Sequence, residues 1–248
     1  MIASDDYHVG TPRIALILFD GLYAAEGLQN VDVRLFDLRG DEPTVIWRGK
    51  ATEYADAPVG YWTTYPEIPS AGEWGLQIEA TTADGSLDKY DRLITVSDAP
   101  RSPALGDVPP ASLNRTSAEF NLSELSSGSN PNPALYDMTV ADALTSGKPS
   151  VITFATPAFC ATQVCAPVVD TVASVYEAVG DDANFLHLEV YKDFQELTIA
   201  DEMVEWNLTT EPWTFVLNVD GEVAARLGGP ISQAEILQEL AEVGVDGQ

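Results

Sequence analysis

Cys160 and Cys165 are the residues of this chain best suited to chemistry, and they are its only cysteines. They follow an apolar run, Val151 to Ala155, and a turn marked by Pro157, and they lead into residues with helical spacing. A thiolate is both a nucleophile and a soft metal ligand. Residues five apart inside a regular helix have Cα atoms ~8.5 Å apart, whereas a disulfide needs them within about 7 Å. The pair therefore bridges only if Cys160 stands in the turn, outside the helix. Just ahead of the helix, Cys160 would also gain the N-terminal field that favours negative charge and lowers a thiol pKa. Three chemistries are open to the pair. In thiol–disulfide exchange, Cys160 attacks or is attacked and Cys165 resolves the mixed disulfide. As a fixed disulfide, the pair staples the helix to its loop. As a metal site, the pair binds Cu(I) with a third ligand, for which His187 is the candidate. The C-x4-C spacing does not suit zinc, which needs more ligands nearby. His8 and His187 are the only histidines, and the strand around His187 predicts a buried core residue.

The elements that must position these cysteines begin near residue 136. Thr139 to Thr145 reads as a short helix and Ser150 to Ala155 as a strand covered on both faces. Val164, Val168, Val172, Val175, Tyr176 and Val179 recur at helical steps. Phe185 to Tyr191 reads as a second buried strand. Phe194 to Trp206 reads as a helix with Leu197, Met203 and Val204 facing the sheet. Thr214 to Val219 turns at Asp220-Gly221 into Glu222 to Leu227. Ser232 caps a last helix, with Glu235 as its capping-box partner and Ile236, Leu237, Leu240 and Val243 as its apolar stripe. The order is β-α-β-α-β-β-α.

Residues 12 to 97 read as β structure. Val31, Val33 and Leu35 alternate with polar neighbours, as do Trp74, Leu76, Ile78 and Ala80. Arg13 to Phe19, Thr44 to Trp47, Tyr61 to Tyr65 and Arg92 to Val96 read as further strands. Turn signals fall between them at Asp20-Gly21, Arg39-Gly40-Asp41, Pro69-Ser70-Ala71-Gly72 and Asp84-Gly85. Such spacing predicts a small antiparallel sandwich of immunoglobulin-like type, without the Cys-Trp-Cys core of antibody domains. Its aromatics (Trp47, Trp62, Trp74, Tyr54, Tyr61 and Tyr65) are expected as core filling. The domain organisation is then 1–98 as the sandwich, 99–135 as a Pro/Ser-rich linker or wrapping arm, and 136–248 as the α/β domain.

Twelve Lys and Arg against 39 Asp and Glu give a net charge of −27. Such a surface repels nucleic acid and anionic lipid, and neither is expected as a partner. No apolar run approaches the ~20 residues of a membrane-spanning helix. Met1 to Asp6 lack the basic and apolar regions of a signal peptide. Read literally, that start is cytoplasmic; a leader removed ahead of Met1 would make the protein extracytoplasmic. Asn114-Arg115-Thr116, Asn121-Leu122-Ser123 and Asn207-Leu208-Thr209 match the glycosylation sequon, which carries no weight in a bacterial chain.

The second half resembles the thioredoxin fold, in its extracytoplasmic TlpA-like branch, over roughly residues 104 to 246. Val151 to Ala155 followed by Cys160 is similar to the strand that ends at the active-site cysteine. Pro167 is similar to the proline that bends the following helix. Glu211-Pro212-Trp213-Thr214-Phe215-Val216-Leu217 with Asp220-Gly221 is similar to the cis-proline loop and its hairpin. Gly228-Gly229 fits the approach to the last helix, and Gly106-Asp107-Val108-Pro109-Pro110 looks like the branch's lead-in segment. The pair is C-x4-C rather than the family's usual C-x2-C or the Sco-like C-x3-C. Thr153 stands near the family's buried aspartate, and Trp213 where threonine is usual. The resemblance implies thiol–disulfide exchange with protein thiols or disulfides and no cofactor. Cys160, Cys165 and Pro212 would be catalytic, and Phe159, Glu211 and Trp213 would contact substrate. The Glu211 carboxylate would raise the thiolate pKa.

Overall fold

Alternating apolar residues in the first hundred positions produce strands with one buried face. In a computed structural model, which describes residues 1–20, 23–25, 27–160 and 164–245, the chain divides into two units. Residues 1–55 and 59–100 form the first, and residues 56–58 with 101–248 the second. Among the described residues no helix is long and apolar enough to cross a membrane.

The first unit holds β1 (Ile14–Leu16), β2 (Phe19–Asp20), β3 (Tyr23–Ala24), β4 (Asn30–Asp37), β5 (Thr44–Lys50), β6 (Thr52–Tyr54), β7 (Tyr61–Thr64), β8 (Gly72–Thr81) and β9 (Leu87–Val96). One antiparallel sheet runs β5-β4-β8-β9 and another β1-β7-β6, with β2 and β3 as a separate pair. Val31, Val33 and Leu35 of β4 and Trp74, Leu76, Ile78 and Ala80 of β8 are buried with Ile14, Leu16 and Trp62 of the second sheet. That shared core makes the unit an antiparallel two-sheet sandwich. Trp62 and Trp74 fill it, Tyr61 is buried with its ring stacked on Tyr54 at 5.1 Å, and Tyr65 is exposed. The Asp84-Gly85 signal forms the β8–β9 turn: Gly85 has a φ of +85° and Asp84 Oδ1 accepts from the Ser86 N–H at 2.9 Å. Of the Asp20-Gly21 signal, Gly21 lies outside the described residues.

The second unit comprises α1 (Leu122–Leu125), α2 (Val140–Thr145), β10 (Ser150–Ala155), α3 (Cys165–Val179), β11 (Asn184–Glu189), β12 (Tyr191–Asp193), β13 (Thr198–Ile199), α4 (Asp201–Glu205), β14 (Trp213–Leu217), β15 (Val223–Gly228) and α5 (Gln233–Glu242). Its central sheet runs β11-β10-β14-β15, with β10 parallel to β11 and antiparallel to β14. All six residues of β10 are buried because its two faces feed two cores. Val151 and Ala155 pack with Val168 and Val172 of α3 and Ile236 and Leu240 of α5. Ile152 and Phe154 pack with Val140 of α2, Met203 of α4 and Trp206. The mixed sheet is thus covered by helices on both sides. Ser232 Oγ accepts from the Glu235 N–H at 3.1 Å and caps α5.

The proline-rich segment from 101 onward lies within this second unit. Asn114 Oδ1 accepts from the Val140 N–H at 2.7 Å, and Leu125 joins the α3 core. Gly106 and Asp107 exchange backbone hydrogen bonds with Val223, covering the outer edge of β15.

The helix expected over Phe194 to Trp206 is corrected. Residues 191 to 199 form the β12–β13 pair, and only Asp201–Glu205 is helical. Asp193 Oδ1 accepts from the N–H groups of Gln195 and Glu196 at 2.8 and 2.9 Å, a local alternative to the helical ladder. Leu197 has a φ of 50°, which ends any helix there. Leu197 and Val204 are exposed; of the three residues expected to face the sheet, Met203 alone is buried.

Candidate functional site

The strand β10 runs out at Ala155, and Thr156 to Phe159 carries the chain to Cys160. Ala161, Thr162 and Gln163 lie outside the described residues. Helix α3 begins at Cys165, so Cys160 stands ahead of it. The two cysteines form a disulfide, with Cα atoms 6.0 Å apart. That separation is shorter than a helix allows over five residues, as the turn position of Cys160 requires.

The helix start corrects one expectation. The first turn of α3 contains Cys165, not Cys160, so the N-terminal field acts most directly on Cys165. Cys165 is fully buried beside Val168 and Val169, whereas Cys160 is half-buried. Pro167 is the third residue of the helix, where its missing N–H has no intrahelical acceptor to lose. It therefore sits in α3 without breaking the ladder.

Glu211 and Pro212 precede β14 and are joined by a cis peptide bond. The fold brings Glu211 to the cysteines: one carboxylate oxygen and the two sulfurs all lie within 4.8 Å of one another. Glu211 is half-buried, and burial pushes its carboxyl pKa up. Phe159, beside Cys160, is 39 % exposed, with its ring 6.0 Å from Tyr191 and 6.0 Å from Phe194. Trp213 is buried instead. It stacks on Phe215 at 5.6 Å, lies across Gly228 and has the Arg226 guanidinium 5.5 Å from its ring. Thr153 is also buried, with its hydroxyl 3.1 Å from that of Thr214.

His187 belongs to a different arrangement. Its Nε2 lies 3.0 Å from the Ala155 carbonyl and its Nδ1 2.6 Å from the Tyr136 hydroxyl. A carbonyl only accepts, so Nε2 carries the proton and Nδ1 accepts from Tyr136. Burial of the ring drives its pKa down to about 4, and burial pushes the Tyr136 hydroxyl up to about 12. Both nitrogens are engaged, and the group of donor atoms around the sulfurs contains Glu211 rather than His187.

Sequence reading passed over Glu189 and Ser127. Glu189 Oε1 accepts from the Ser127 N–H and hydroxyl, both at 2.6 Å, and Ser127 Oγ accepts from the Ala158 N–H at 3.0 Å. These bonds tie the loop before Cys160 to a carboxyl at the end of β11. Burial pushes the Glu189 pKa up. The signal was a carboxylate inside an apolar strand, a residue type almost never buried without partners.

No family model matches the chain, and no curated protein matches it. Among solved structures, CopC from Methylosinus trichosporium OB3b aligns at 18 % identity over 38 % of this chain and 84 % of its own, with a TM-score of 0.28. Murine CRIg aligns at 14 % identity over 39 % of this chain and 95 % of its own, with a TM-score of 0.26. At those scores neither likeness carries an argument about what this chain does.

Proposed function

We propose that the second unit is a thioredoxin-like domain that exchanges disulfides through Cys160 and Cys165 in an extracytoplasmic setting. One observation carries the reading: the bonded pair has one half-buried and one fully buried cysteine, beside the Glu211-Pro212 loop. The order of strands and helices supports it, and disulfides persist in oxidising compartments. Cys160 is the sulfur a partner reaches. In the reduced protein, the Cys160 thiolate attacks a substrate disulfide, forms a mixed disulfide and releases one substrate thiolate. The Cys165 thiolate then attacks Cys160 Sγ and expels the second. The substrate gains two electrons, and the protein returns to the bonded form seen here.

The test is the reduction potential of the pair, measured against glutathione. A value above about −300 mV supports exchange. One well below it marks a disulfide too resistant to turn over, and makes the pair a fixed staple in a binding module. Cys165→Ser should also accumulate mixed disulfides on Cys160.

A second reading rests on the approach of Glu211 to both sulfurs. After reduction, two thiolates would hold Cu(I), a soft ion for which the carboxylate is a poorly matched third donor. This reading fails if the reduced protein does not hold Cu(I) against a chromophoric chelator, or if Cys160→Ser binds it equally well.

A further inference from the structure

We infer that Glu211 selects substrates by charge, so that the site takes disulfides flanked by positive groups: in proteins, a cysteine with Lys or Arg beside it. The inference rests on the exchange reading above and names its substrate class.

The Glu211 carboxylate lies within 4.8 Å of both sulfurs, so any disulfide reaching Cys160 brings its neighbouring atoms close to this charge. Glu211 is half-buried, which weakens screening by water and salt. The aromatic wall points the same way. Phe159 adjoins Cys160, is 39 % exposed and has Tyr191 and Phe194 against it. Aromatic faces attract ammonium and guanidinium groups and offer anions nothing comparable. Residues 191 to 205, which supply Tyr191 and Phe194 to that wall, carry Asp193, Glu196, Asp201, Glu202 and Glu205 against Lys192, with Arg115 donating to the Lys192 carbonyl at 2.9 Å. Lys192 is itself paired with Asp201 at 2.6 Å. An anionic disulfide therefore meets the Glu211 carboxylate at the point of attack, and a cationic one meets an acceptor and aromatic rings.

The test uses the full chain, reduced, at about 10 mM ionic strength, where the Debye length is about 30 Å. Three small disulfides report the exchange rate: cystamine (cationic), 2-hydroxyethyl disulfide (neutral) and dithiodipropionate (anionic). Removing a negative charge also changes the thiolate population, so the readout is the cystamine-to-dithiodipropionate ratio rather than either rate. Glu211→Gln is expected to lower that ratio roughly tenfold, about 1.4 kcal/mol. Glu211→Ala should do the same if the glutamine variant folds poorly. Glu42→Gln removes one charge from the first unit and should leave the ratio unchanged, which separates Glu211 from the overall field of an acidic protein. A ratio equal in all variants overturns the inference while the neutral disulfide still reacts. If the neutral disulfide does not react with the wild-type chain, the exchange reading fails and the inference falls with it.

Discussion

Acidification should destabilise the second unit through His187, by an amount the structure sets. The ring is 3 % exposed and neutral, with its pKa held near 4 by burial, against 6.5 for an unperturbed imidazole. Between those values the unfolded chain binds a proton that the folded chain refuses, so stability falls as pH falls. It is fully present above pH 6.5 and lost progressively toward pH 4. At about 1.4 kcal/mol per pH unit, linkage gives a loss of about 1.4 kcal/mol by pH 5.5 and about 2.5 kcal/mol by pH 4.5. Glu189, whose carboxyl pKa is raised, contributes the opposite slope: its stability is present below its unfolded pKa and lost as pH rises. Comparison of wild type with His187→Gln, which keeps a donor but does not titrate, subtracts that background. Urea denaturation at several pH values should show the extra slope in wild type only, and NMR should find the His187 ring neutral at pH 5. Parallel pH profiles, or a ring that titrates near 6.5, would refute the neutral, doubly bonded histidine.

Three further outcomes follow from the packing. Phe154→Ala empties a fully buried site between Trp206, 4.9 Å away, and Phe215, 6.2 Å away, and should cost about 3–5 kcal/mol in denaturant unfolding. Gly228→Ala places a methyl 2.9–3.1 Å from three atoms of the Trp213 ring, inside van der Waals contact, and should lower stability by about 1–3 kcal/mol and alter tryptophan fluorescence. Ser127→Ala removes one donor to the Glu189 carboxyl and the acceptor of the Ala158 N–H, and should cost about 1–3 kcal/mol and speed amide exchange at Ala158.

The sequence by itself determined the elements whose side chains alternate or repeat. Val31, Val33 and Leu35 on β4, the continuous run of β10, the valine stripe of α3 and the Ser232 cap of α5 are all legible, because each depends on residues within one or two turns of each other. The stretch 191–199 shows where that logic stops. Its apolar spacing suits a helix, but the Asp193 carboxylate captures two backbone N–H groups and the chain folds into a hairpin. The resemblance implied Glu211 near the cysteines, and the tertiary structure fixed the distances and the burial of each group. That Cys160 stands outside α3 depends on where the helix starts. That Glu211 reaches the sulfurs depends on β10 and β14 lying side by side, with Phe154 opposite Trp213, across about sixty residues of chain. Local pattern carries no information about such a pairing, because the free energy that brings the strands together comes from the two cores they share and not from the residues that meet at their ends.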